Sequence, residues 1–153
     1  MRGVPASPLL PAEVAAAFAL FPEPARMQLL EVRRLIFATA AETAGVGPLT
    51  EMLKWGEPAY LTQATSSGST IRLGQPKSPK GMGAVLFNCR TSLVETFRAQ
   101  FPEAFLFQGN RAILLDPSVP LPTEQLSMCL AMALTYHRRP TWHSCDDRSD
   151  ISG

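Results

Sequence analysis

An α+β domain is the expectation for this chain: helices come first, then strands joined mostly by short turns, then a closing helix. That order suits an antiparallel sheet of about five strands, with N-terminal helices and a C-terminal helix packed on one face. Strands do not alternate with helices, so a doubly wound nucleotide-binding fold is not expected. No internal repeat is visible.

Pro11-Ala12-Glu13 opens a short helix to about Leu20, because proline loses nothing in a first turn and Glu13 complements the dipole. Phe21-Pro22-Glu23-Pro24 breaks it, and a second helix runs from about Pro24 to Ala44. There Leu29, Val32, Ile36 and Ala40 recur at helical spacing, with Arg26, Arg33, Arg34 and Glu42 on the other side. Gly45-Val46-Gly47 ends that helix, and Pro48 is expected to open a third, short one to about Trp55. Strands follow at Ala59–Thr62 and Thr70–Leu73, turned at Thr65–Gly68. The segment Gln75 to Gly81, with two prolines and two lysines, reads as an exposed hairpin loop. Met82 to Asn88 forms a central apolar strand. Ser92-Leu93-Val94-Glu95 has the spacing of a capping box for a helix to about Phe101. Phe105–Phe107 and Ala112–Leu115 make a last hairpin, and Thr123 is placed to cap the final helix. The domain is expected over residues 1–139, with 140–153 a polar, frayed tail.

The chain has 153 residues, enough for one ordinary core, and carries 46% hydrophobic and 18% charged residues with a net charge of +1. Such balance lacks the basic stripe by which nucleic-acid binders release counterions, so no nucleic-acid partner is expected. No window has the length of a membrane span, and Met1 to Leu10 lacks the apolar core of a secretory signal. Cys89, Cys129 and Cys145 are odd in number and widely spaced, which fits thiols in a reducing, cytoplasmic setting.

Lys54-Trp55-Gly56-Glu57-Pro58-Ala59-Tyr60 is the most distinctive segment, read as a sharp exit from helix to strand clamped by Trp55 and Tyr60. This K-W-G-x-P-A-Y pattern resembles the YdhG-like family, small bacterial α+β proteins of uncharacterised function. The likeness extends from about Leu29 to Tyr136, through Arg33 to Ile36, Ala112 to Leu115 and Pro120-Leu121-Pro122, and departs at Glu57. It implies the fold and no catalytic residue. Some relatives are discussed as frataxin-like iron chaperones, which would require clustered carboxylates. Here Glu13, Glu23, Glu31 and Glu42 are interspersed with Arg26, Arg33 and Arg34, so the iron role is not carried over.

Cys89 lies between a strand and a helix start beside Arg90, a setting that lowers a thiol pKa. A phosphatase-type loop would need an arginine where Glu95 stands, and both histidines are far downstream, so packing is its commoner role. His137, His143, Cys145, Asp146 and Asp147 match no structural zinc spacing, and no metal or cofactor is expected. Gly74, Gly81 and Gly83 form no phosphate loop, and Lys77 and Lys80 read as solvated. The remaining pocket candidate is Lys54, Trp55, Glu57 and Tyr60, apolar bodies with polar tips, weighed against their serving only as core clamps. The expected function is a non-enzymatic module binding a small molecule or a protein, or a homodimer through the uncovered sheet face. The alternative is a small enzyme using that corner or a reactive Cys89.

Overall fold

The computed structural model describes residues 8–77 and 80–138. Two helices, α1 (Ala12–Ala19) and α2 (Glu23–Glu42), lead into strands β1 (Thr50–Lys54), β2 (Glu57–Leu61), β3 (Ile71–Gly74) and β4 (Gly83–Leu86). Helix α3 (Leu93–Gln100), strands β5 (Leu106–Gln108) and β6 (Ala112–Leu115), and helix α4 (Thr123–Leu134) follow. The six strands form one antiparallel sheet in the order β1-β2-β3-β4-β6-β5. The α+β class is therefore as expected, with one strand more.

The extra strand replaces the expected third helix. Thr50 to Lys54 pairs residue for residue with Leu61 to Glu57, and Trp55 and Gly56 turn the hairpin with φ of 57° and 76°. Positive φ at both central residues is the geometry that matches the twist of paired strands. The β2 ladder thus overrides the helix propensity of Glu51, Met52, Leu53 and Lys54.

Strand alternation divides the sheet into two faces. Tyr60, Ile71, Leu73, Val85, Phe87, Ile113 and Leu115 point to the helices and meet Phe18, Leu29, Val32, Ile36, Phe97, Leu126 and Leu130 in one core. Among the described residues no helix covers the opposite face. On it Ala84, Ala112 and Leu114 form a second, small buried cluster against Met82 and Leu86. The apolar character of both faces of β4 is thus met in part by side chains of the sheet itself.

Arg33 does not lie on a solvated side of α2: it is 4% exposed. Its Nε and Nη2 donate to Glu51 of β1 at 2.6 and 2.9 Å, and Nη2 also donates to the Pro8 carbonyl at 2.8 Å. The Tyr60 hydroxyl donates to the same carboxylate at 2.8 Å, and the guanidinium lies over the Phe37 ring. A charge taken out of water requires such a partner, which helical spacing alone does not reveal.

Two expected caps are absent. Ser92 makes no side-chain cap bond; instead Thr91 Oγ1 accepts from Leu93 N–H at 3.3 Å. Thr123 is the first residue of α4 rather than its cap, which is Pro122. The serine-rich loop before β3 caps the other end of α4: Ser67 Oγ donates to the Leu134 carbonyl at 2.8 Å and Ser69 N–H to Ala133. Gly68 passes so close that a Cβ there would strike the Leu134 backbone. That loop therefore supplies the partners that helix-end carbonyls need. The expected tail at 140–153, with His143, Cys145, Asp146 and Asp147, lies outside the described residues.

Candidate functional site

A cavity of about 260 Å³ lies beside Arg72 of β3, with Phe87 of the core among its walls. Cross-strand register explains its composition. Residues directly opposite each other share a face, and Met52, Ala59, Arg72, Leu86 and Ala112 form one such row. Arg72 is the cation of that row. Thr70 precedes β3 by alternation on the same side, and Arg111 stands at the entry to β6. Lys54 and Trp55, at the β1–β2 turn, complete one wall, and Asn88 and Cys89, at the exit from β4, complete another.

Three cations, Lys54, Arg72 and Arg111, thus line one concavity. Glu57 is the carboxylate set against them: its Oε1 accepts from Arg72 Nη1 at 2.6 Å. The pair is about three-quarters buried, with side chains 22% and 27% exposed. Burial raises the Glu57 pKa above the usual carboxylate value, against the opposing pull of Arg72 and Arg111. Gly74 makes room for this arrangement, since a Cβ there would run into the Glu57 carboxylate. Charges lining a cleft of low-dielectric walls add their fields, so three cations against one carboxylate leave the cavity positive.

No family model, curated protein or solved structure matches the chain. The site must therefore be read from its own geometry.

Of the residues expected from sequence, Lys54, Trp55 and Cys89 come together in this cavity, and Glu57 borders it through Arg72. Tyr60 does not join them. It is fully buried on the helical face, edge-on to Phe37, and burial pushes its hydroxyl pKa up so that it stays a donor to Glu51. Trp55 is no core clamp: it is 87% exposed at the tip of the hairpin. A bulky residue with positive φ is disfavoured, and hairpin tips prefer Asn or Gly at that position. The hairpin therefore holds an exposed indole, in a disfavoured backbone conformation, beside the three cations.

Cys89 is exposed, its backbone carbonyl held by Asn110 Nδ2 at 3.0 Å. Cys129 is buried in α4, and burial pushes its thiol up to about 12. Arg72, Arg111, Thr70 and Asn88 were not singled out from sequence. The available signal was Arg72, a lone cation inside the otherwise apolar strand Ile71-Arg72-Leu73.

A second concavity of about 340 Å³ lies beyond β5 and β6, walled by Phe105, Leu106, Leu114 and Leu121. Its Asp116 carboxylate is occupied by Ser118 Oγ and N–H at 2.7 and 2.9 Å, so its chemistry is mainly apolar. Among the described residues no group of three or more His, Cys, Asp or Glu side chains is arranged to hold a metal ion, and no helix is long and apolar enough to cross a membrane.

Proposed function

We propose that the chain is a non-enzymatic binding module, of the YdhG-like type that its Lys54–Tyr60 segment resembles, which takes a small anionic ligand in the cavity beside Arg72. The observation that carries this reading is the convergence of Lys54, Arg72 and Arg111 on one cavity with Glu57 as their counter-charge. Trp55 offers a flat apolar surface beside the cations, and Thr70 and Asn88 offer neutral hydrogen-bonding groups. Among the described residues that line the cavity, no histidine or other general base stands beside Cys89, which favours binding over catalysis.

Calorimetric titration with phenyl phosphate tests the proposal. Binding should weaken about tenfold in Arg111→Gln and in Lys54→Gln, because each change removes one charge-assisted contact. It should also weaken as salt is raised. Affinity equal in wild type and both variants would contradict the reading.

Cys89 supports a second reading, a thiol-dependent reaction, because this exposed cysteine opens onto the same cavity. A rate of thiol labelling that saturates with an anionic reagent would favour it over simple binding.

A further inference from the structure

We infer that the cavity selects a small dianion of the phosphate-monoester type with a flat apolar body, matched to its two uncommitted cations. The inference rests on the anion-binding reading above and concerns which anion is taken.

The charges around the cavity are unequally committed. Arg72 donates to Glu57 at 2.6 Å. Among the described residues, the side chains of Lys54 and Arg111 take part in no hydrogen bond or ion pair. Two cations thus remain available while the Arg72–Glu57 pair stays closed. A dianion satisfies both without disturbing that pair. A monoanion leaves one of these two cations uncompensated, and reaching Arg72 would only replace the Glu57 charge by its own.

Glu57 is held where this competition matters. Arg72 faces it from β3, Arg111 acts on it from the entry to β6, and Lys54 is its cross-strand partner in β1. Gly74 supplies the seat for its carboxylate. Protonation of Glu57, favoured by its burial, would open Arg72 to monoanions.

The remaining features set the body of the ligand. A volume of about 260 Å³ is below that of pockets for drug-sized molecules. The exposed indole of Trp55 presents a stacking face for a planar group next to the cations.

Phenyl phosphate, benzenesulfonate and inorganic phosphate separate these elements, since the first two share a shape and differ in charge near pH 7.5. Calorimetry on the full chain should show phenyl phosphate bound at least about tenfold more tightly than benzenesulfonate. Glu57→Gln should strengthen both anions and widen that ratio, because a dianion feels the lost carboxylate twice as strongly. Gly74→Ala, whose Cβ displaces the carboxylate, should act in the same direction. Inorganic phosphate should bind more weakly than phenyl phosphate, and Trp55→Ala should remove that difference. Equal affinity for phenyl phosphate and benzenesulfonate, still sensitive to Arg111→Gln, would overturn the dianion inference and leave anion binding standing. Absence of binding by all three anions would overturn both.

Discussion

Arg33 of α2 and Glu51 of β1 are joined by two hydrogen bonds, at 2.6 and 2.9 Å, with both side chains under a tenth exposed. The pair ties the long helix to an edge strand, and Tyr60 donates a third hydrogen bond to the same carboxylate. Glu51→Ala would leave a buried guanidinium and a buried hydroxyl without their acceptor. A loss of about 3–5 kcal/mol in urea denaturation is expected. The triple change Arg33→Met, Glu51→Leu, Tyr60→Phe should lose much less, because no orphaned charge remains. A small effect of Glu51→Ala alone would show that the pair contributes little.

Trp55 should separate stability from binding. Its positive φ and exposure mean that Trp55→Asn relieves backbone strain while removing little packing. Thermal unfolding should show a gain of about 0.5–1 kcal/mol, with weaker binding of phenyl phosphate. Tyr60→Ala, on the buried face, should instead lose about 3–5 kcal/mol. A destabilised Trp55→Asn would mean that the indole packs against the fold.

The Glu57 carboxyl predicts a pH dependence whose sign follows from its burial. Its pKa in the folded state is raised, so the folded protein holds the proton more tightly than the unfolded chain. The penalty of the ionised form is therefore present above the folded pKa and is relieved as pH falls through it. Relative to Glu57→Gln, the wild type should gain stability between about pH 7 and pH 4, across the carboxylate range. Benzenesulfonate, a monoanion throughout, should bind the wild type more tightly over the same interval. A difference between the two proteins that does not change with pH would contradict the assignment.

The two described cysteines should react very differently. In a Cys145→Ser background, an exposed Cys89 should be labelled by a thiol reagent in the native protein, while buried Cys129 should require unfolding. Phenyl phosphate should slow the labelling of Cys89 by occupying the cavity it lines. Mass spectrometry of the labelled peptides reads both effects, and labelling of Cys89 unchanged by phenyl phosphate would place the ligand elsewhere.

Periodicity made the long elements legible. Leu29, Val32 and Ile36 at helical spacing marked α2, and the apolar run from Met82 to Asn88 marked the strand that is β4, because each buries a regular face. The segment from Thr50 to Lys54 was not legible, since Glu, Met, Leu and Lys favour helices and only pairing with β2 decides otherwise. Arg33 was misplaced for a related reason: its burial depends on Glu51, a partner brought close by the fold. Within the site, Lys54, Trp55, Glu57 and Cys89 stood out as residue types. Their union with Arg72 and Arg111 follows from strand order and register, which no local pattern encodes.

Backbone amide shifts recorded during a phenyl phosphate titration test the central claim most directly. The account predicts that the largest changes fall on the residues lining the cavity, Lys54, Trp55, Thr70, Arg72, Phe87, Asn88, Cys89 and Arg111. Changes centred on Phe105, Leu106 and Leu121, or on the helical face, would contradict it.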